Sequence, residues 1–219
     1  MSPYITQMPN WTSNHITISH SDKSLIDQIA ATQGTDKGVL STIIPCPAEL
    51  CDDDLTTWSR GPEQEAREKK IAEMVKKYGF KSWYEWNIAH WGTKWDLCEP
   101  HIERIDDNTV VITAETAWSP PTTAFETMKE RGYKVRALYC GEGPEYAGIW
   151  DDGVDNYFNT TNGSKAAQAI LPKELDDHFG IVDTLAGYEE EERMEEEELT
   201  QWIKKGDADR KALPQPEED

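Results

Sequence analysis

The fold is first indicated at Asn14-His15-Ile16-Thr17-Ile18-Ser19-His20, where apolar and polar side chains alternate and β-branched residues are frequent. Such alternation is typical of a strand with one buried face. Downstream, Leu25, Ile26 and Ile29 have the spacing of one helix face. The short apolar run at residues 39–44 then predicts a second strand. The chain therefore opens with a predicted β-α-β unit.

A helical insertion is predicted over about residues 48–98. Gly61-Pro62 suits the start of one helix, because proline is favoured at the first helical position, and Gly79 ends it. A second helix is predicted over residues 83–91, with Ser82 and Glu85 in the spacing of a capping box. Gly92 then suits the left-handed residue that follows a helix.

The remaining pattern returns to strands. Strands are predicted at 101–105, 109–116, 133–140, 146–150 and 154–159, and a helix at 122–131. Without the insertion, the predicted order contains the β-α-β-β-α-β pattern of a ferredoxin-like split β-α-β fold. The predicted fold class is α+β, an antiparallel sheet with inserted helices and an acidic helical C-terminal extension.

The domain organisation follows from this pattern and from composition. Residues 1–10 are interpreted as an N-terminal arm and residues 11–160 as the ferredoxin-like domain. Residues 161–186 form a predicted short helical segment. Residues 187–219 are strongly acidic and are interpreted as a helical or disordered tail.

Charge limits the classes of partner. The chain has 219 residues, with 22 Lys and Arg against 42 Asp and Glu, and a net charge of −20. Binding to nucleic-acid phosphates or to anionic lipid requires basic residues, so neither a direct nucleic-acid partner nor a membrane is expected. No apolar run approaches a membrane span, and no secretory signal is recognisable, so a cytoplasmic location is expected.

The cysteines do not indicate a cofactor. Cys46, Cys51, Cys98 and Cys140 form no C-x-x-C pair and lack the spacing of an iron–sulfur cluster. The histidines and nearby acids show no metal-binding spacing. We therefore expect reduced thiols, no cofactor and no metal site.

A tryptophan-rich stretch at residues 83–96 holds four of the nine tryptophans. The simplest interpretation is structural, because indoles fill the space between inserted helices and a sheet. The alternative is an aromatic pocket that binds a ligand or partner, since Lys94 lies between two tryptophans. The candidate binding residues are Trp91, Gly92, Lys94 and Trp95, together with the corner Trp118, Ser119, Pro120 and Pro121.

Five separated motifs carry a family resemblance. They are Asn10-Trp11 through Asn14, Ile44-Pro45-Cys46-Pro47-Ala48-Glu49-Leu50, Trp91-Gly92-Thr93-Lys94-Trp95-Asp96, Ala117-Trp118-Ser119-Pro120-Pro121 and Tyr146-Ala147-Gly148. Over roughly residues 8–153 the chain resembles the YubB ferredoxin-like (Api-type) family of phage and plasmid proteins. The resemblance implies a ferredoxin-like domain encoded by a mobile element. It transfers no catalytic residues, and the acidic segment after about residue 187 lies outside it.

Three hypotheses of function remain. The leading one is a non-enzymatic phage accessory protein in the host bacterial cytoplasm, which binds the basic surface of a host defence or nucleic-acid-handling protein by acidic charge mimicry. The alternative is a small-molecule or nucleotide sponge that uses the tryptophan–lysine motif. An enzyme is the third, and it predicts a polar, pKa-perturbed pocket around His90 or Cys98. Homo-oligomerisation stays open.

Overall fold

The computed structural model describes residues 10–56 and 62–211, and the chain divides into two compact units, residues 1–158 and 159–219. The fold class is α+β. The elements of the first unit are β1 (Trp11–Ser19), α1 (Lys23–Ala30), α2 (Val39–Ile43), two 3-10 turns (Ala48–Cys51 and Asp53–Leu55), α3 (Pro62–Tyr78), α4 (Trp83–Trp91), β2 (Cys98–Asp106), β3 (Thr109–Ala117), α5 (Thr122–Glu130), β4 (Lys134–Gly141), β5 (Tyr146–Asp151) and β6 (Val154–Asn159).

The strands form one antiparallel sheet in the order β2-β3-β1-β4-β5-β6. Strand β1 pairs with β3 on one side and with β4 on the other, and β3 also pairs with β2. Hence β1 runs parallel to β2 with β3 between them, and β3 runs parallel to β4 with β1 between them. These are the two interlocked split β-α-β units that the sequence predicted.

The alternation at the start of the chain places β1 at the centre of this sheet. Its even-numbered residues, among them Ile16 and Ile18, are buried, and its odd-numbered residues are half-buried. Helices α1 and α5 cover the buried face with Ile26, Ile29 and Phe125, each of which is fully buried. Asp22 caps α1 by accepting a hydrogen bond of 2.9 Å from the Ser24 N–H.

The strand predicted at residues 39–44 is wrong, because these residues form helix α2. Val39, Leu40 and Ile43 are buried, which is the i, i+1, i+4 pattern of a helix face. A short apolar run does not distinguish a buried strand from a buried helix turn. The second strand of the ferredoxin-like pattern is instead β2, so the helical segment lies between α1 and that strand.

The inserted helices α3 and α4 begin and end close to where the sequence places them. Gly92 follows α4 with φ of 79°, as expected for a left-handed C-terminal residue. The predicted capping box is wrong in its contacts. The Ser82 side chain makes no capping hydrogen bond, and the Glu85 carboxylate accepts from the Lys81 N–H at 3.0 Å.

The second unit contains α6 (Ser164–Ile170), α7 (Lys173–Phe179) and α8 (Ile181–Lys211). Helix α8 passes without interruption through residue 187, where the sequence indicates a change to an acidic tail. Its start is anchored, because Ile181 is fully buried, whereas its later residues are exposed. None of the helices in residues 10–56 and 62–211 combines the length with the apolar composition that a membrane span requires.

Candidate functional site

The tryptophan-rich stretch is held by buried contacts. The Trp91 indole N–H donates to the Ile44 carbonyl at 3.0 Å, and Trp91 is 4% exposed. His90 lies flat on the Trp86 ring, with ring centroids 4.1 Å apart, and its Nδ1 is 2.8 Å from the Trp86 carbonyl oxygen. Trp86 is also buried. These contacts support a structural role for this part of the stretch.

Asp96 has a role that the sequence did not reveal. Its carboxylate accepts hydrogen bonds from the N–H groups of Leu40 (2.9 Å), Ser41 (2.7 Å) and Leu97 (2.8 Å). The side chain therefore caps α2, although more than fifty residues separate the two in sequence. Gly38 permits the approach, because a Cβ at that position would lie 2.1 Å from the Asp96 Oδ2 atom.

Hydrogen bonds join the tryptophan motif to the corner that precedes α5. The Thr93 hydroxyl donates to the Ala117 carbonyl at 3.0 Å, and the Ser119 hydroxyl donates to the Gly92 carbonyl at 2.7 Å. The structure thus brings the two predicted groups of binding residues together. Pro121 occupies the residue before α5 and accepts from the Phe125 N–H at 3.1 Å.

The ammonium group of Lys94 is surrounded by aromatic rings. It lies 4.3 Å from the centroid of Trp95, 5.2 Å from Trp118 and 5.9 Å from Tyr84. A cation within about 6 Å of a ring face is attracted to it. Lys94 therefore has intramolecular partners in these three rings. A binding role for Lys94 stays a prediction.

Trp118 combines exposure with backbone strain. Its φ is 71°, a left-handed conformation that bulky residues rarely adopt, and its side chain is 46% exposed. Two hydrogen bonds hold the strained peptide, because the Trp118 N–H donates to Asn10 at 2.8 Å and the Tyr146 hydroxyl donates to the Trp118 carbonyl at 3.1 Å. Trp118 is thus a large exposed indole on a strained backbone, and a binding role for it stays a prediction.

A tyrosine-lined pocket of about 290 Å³ adjoins this corner. Tyr139 and Tyr146 lie across from glycines on the paired strands β4 and β5. A Cβ at Gly148 would be 2.1 Å from the Tyr139 hydroxyl, and one at Gly141 would be 2.5 Å from the Tyr146 ring. The missing glycine side chains thus make room for both rings.

The sequence carries a signal for this pocket in a repeated pattern of tyrosine and glycine. The pattern Tyr-x-Gly occurs at residues 139–141 and again at 146–148. In a hairpin of this register, the two copies place each tyrosine opposite a glycine. The Tyr139 hydroxyl passes over Gly148 and donates to the Asp155 Oδ1 atom at 2.6 Å. Burial is the main cause that raises the pKa of Tyr139, and the hydrogen bond to Asp155 raises this pKa further. The hydroxyl therefore stays protonated.

Cys46, Cys98 and Cys140 lack the lowered pKa that a nucleophilic thiol needs. Burial raises the pKa of Cys140 to about 11, and burial with the neighbouring Cys51 raises the pKa of Cys46 to about 12. Burial also raises the pKa of Cys98, and the carboxylates of Asp96, Glu99 and Glu115 add to the effect. Within residues 10–56 and 62–211, no three His, Cys, Asp or Glu side chains are placed to hold a metal ion.

These thiols should differ in reactivity. At pH 8 a thiol of pKa about 11 is ionised in about one molecule in a thousand. A thiol-specific chromogenic reagent should therefore modify the exposed Cys51 quickly and Cys46, Cys98 and Cys140 only slowly until urea unfolds the protein. Cys51→Ser should remove the fast phase. Two or more equally fast thiols in the folded protein would contradict this assignment.

Helix α8 presents a dense acidic surface, defined here as the acidic block, Glu189–Glu198. It holds eight glutamates and Arg193, a net charge of −7. Every residue from Glu190 to Glu198 is exposed. Arg193 contacts Glu190, and it lies 3.9 Å from Glu197. Glu189 accepts two hydrogen bonds of 2.7 Å from the N–H and hydroxyl of Ser164, which lower its pKa and fix this end of the block on α6.

Comparison with known proteins gives a distant structural similarity. No family model matches the chain, and no curated protein matches it significantly. Among solved structures, the chain is similar to protein api92 from Yersinia pseudotuberculosis, of the family DUF1281, with 11% identity and a TM-score of 0.37. The alignment covers 69% of this chain and 98% of that chain.

Proposed function

We propose that the protein is a non-enzymatic phage accessory protein that binds a host protein and occupies its basic, nucleic-acid-binding surface. The observation that carries this proposal is the exposed acidic block on α8. Ten helical residues rise about 15 Å. The net charge of −7 over this length gives about one charge per 2 Å, close to the spacing of about 1.7 Å along duplex DNA.

The helix supports mimicry better than a flexible acidic tail does. A helical backbone holds the carboxylates at regular intervals, so a partner that binds them orders fewer groups. The anchor between Glu189 and Ser164 restrains the start of the block. A basic surface that evolved to follow a phosphate backbone would meet a comparable negative charge per unit length, which also speeds its association.

Exposed apolar residues follow the acidic block on the same helix. Leu199, Trp202 and Ile203 lie just beyond it, and Trp202 is 73% exposed. An acidic helix that contacts only water does not require exposed apolar side chains. Tryptophan is enriched at the energetic centres of protein interfaces. The combination of a charged block and an adjacent apolar group therefore favours a protein partner.

The proposed source and location rest on the sequence. The five motifs that resemble the YubB ferredoxin-like family indicate a phage or plasmid protein, and the charge of −20 suits a protein of the host bacterial cytoplasm. The nucleotide-sponge alternative has less support. Its key residue, Lys94, already contacts three aromatic rings, and phosphate groups would meet a strongly acidic protein.

Capture from a nuclease-treated bacterial lysate tests this proposal. The wild-type protein should retain a partner at about 50 mM salt and release it at about 500 mM, because the attraction is electrostatic. A variant with Glu191, Glu192, Glu195 and Glu196 changed to glutamine should bind that partner about tenfold more weakly or worse.

A matched control removes the same charge elsewhere. Glu63, Glu65, Glu68 and Glu73 are exposed on α3, and their change to glutamine should leave capture intact. Equal loss in both variants would show that only total charge matters, which contradicts a defined mimic on α8. Retention of the partner by the α8 variant would contradict the proposal outright.

A further inference from the structure

We infer that the tyrosine-lined pocket next to Trp118 binds a guanidinium group, supplied by an arginine side chain of the basic partner. This inference deepens the proposed function, because it names where on the protein one residue of that partner is held. The pocket has a volume of about 290 Å³ and is lined by Trp118, Tyr139, Tyr146, Asp155 and Tyr157, among others.

Tyr157 and Trp118 give the pocket exposed ring surface that a cation can contact. The rings of Tyr146 and Tyr157 stack with centroids 5.7 Å apart and planes inclined by 20°. Tyr157 is 57% exposed, and Trp118 is also open to solvent. The negative face of an aromatic ring attracts a cation, and a planar guanidinium can stack on it.

Asp155 gives the pocket its charge. Among the described residues that line the pocket, it is the one carboxylate and none is basic. The Tyr139 hydroxyl binds its Oδ1 atom, which fixes the carboxylate and leaves Oδ2 to a ligand. A guanidinium N–H that donates to a carboxylate forms a charge-assisted hydrogen bond, whereas a phosphate at this position would be repelled.

Arginine fits these features better than lysine does. Its guanidinium is planar, is weakly hydrated and combines ring stacking with directed hydrogen bonds. An ammonium group is compact and strongly hydrated, so it loses more hydration free energy when it enters a half-open pocket. Lys94 is not among the described residues that line the pocket, and its ammonium lies 5.2 Å from the centroid of Trp118.

Titration with blocked amino acids tests the inference without any partner. N-acetyl-arginine amide should cause saturable NMR shifts at the amides around Trp118 and Asp155, whereas N-acetyl-citrulline amide, its neutral isostere, should cause none. N-acetyl-lysine amide with a free ammonium should bind more weakly. Equal shifts with the citrulline compound, or shifts confined to α8, would overturn the inference. Much tighter binding of free L-arginine would also overturn it, because the ligand would then be a metabolite.

Two variants locate the site. Asp155→Asn keeps an acceptor for the Tyr139 hydroxyl, so the fold should survive, but arginine binding should weaken about tenfold or more. Asp152→Asn removes the same charge from the neighbouring turn and should change binding less than about twofold. Equal binding in the Asp155→Asn variant would refute the site.

The arginine titration and the capture from lysate test the pocket and the mimicry separately. If no partner is captured from lysate but the arginine titration succeeds, the pocket stands and the mimicry on α8 fails. If capture succeeds and Asp155→Asn retains the same partner as strongly as the wild type, the mimicry stands and the pocket is not part of that interface.

Discussion

Replacing Asp96 by alanine should destabilise the first unit by about 2–3 kcal/mol. The carboxylate accepts three backbone hydrogen bonds, two of them from Leu40 and Ser41 at the start of α2. Removing a charged acceptor leaves these N–H groups without their partner, and Leu40 is fully buried. The loss of stability should appear as a lower midpoint of urea unfolding, monitored by circular dichroism.

Asp36 provides the control for this substitution. It is an exposed aspartate in the loop that leads to α2, so Asp36→Ala should change the free energy of unfolding by less than about 0.5 kcal/mol. Asp96→Asn should fall between the two, because the amide keeps one acceptor oxygen. An equal effect of Asp36→Ala and Asp96→Ala would show that Asp96 is not a cap.

Replacing Gly148 by alanine should cost about 2–3 kcal/mol. The added Cβ would lie 2.1 Å from the Tyr139 hydroxyl and 2.2 Å from its ring, and Tyr139 is 1% exposed and cannot move freely. The ring must shift, and its hydrogen bond to Asp155 is then lost. Unfolding in urea should show the loss.

Gly187→Ala is the matched change with the opposite expected sign. Gly187 lies within α8, and nothing lies within 4 Å of a Cβ built there. Alanine in a helix interior should stabilise it by about 0.5–1 kcal/mol. A Gly148→Ala protein as stable as the wild type would contradict the packing of Tyr139 described above.

Strong periodic patterns were sufficient for most of the fold. The alternation in β1 and the apolar stripe of α5, with Phe125 and Met128, follow from side-chain periodicity alone, and the structure confirms both. Gly92 was predictable for a different reason, since a glycine after a helix commonly takes the left-handed conformation. Residues that are close together in sequence determine these features.

Features that depend on distant residues do not follow from local periodicity. Residues 39–44 are apolar in either a strand or a helix, and the group that favours the helix is Asp96, far along the chain. The tyrosine-lined pocket depends on the register of β4 with β5, which sets Tyr139 opposite Gly148. The two groups of predicted binding residues do meet, because Ser119 donates to the Gly92 carbonyl and Lys94 lies over the Trp118 ring.

The central claim is that the acidic block on α8 takes the place of nucleic acid on a basic surface. The most direct measurement is fluorescence anisotropy of a labelled duplex DNA bound to the captured partner, with the protein added as competitor at low salt. The account predicts full displacement of the DNA by the wild type and by the α3 control, and little displacement by the α8 glutamine variant. Simultaneous binding of DNA and the wild-type protein to the partner would contradict it.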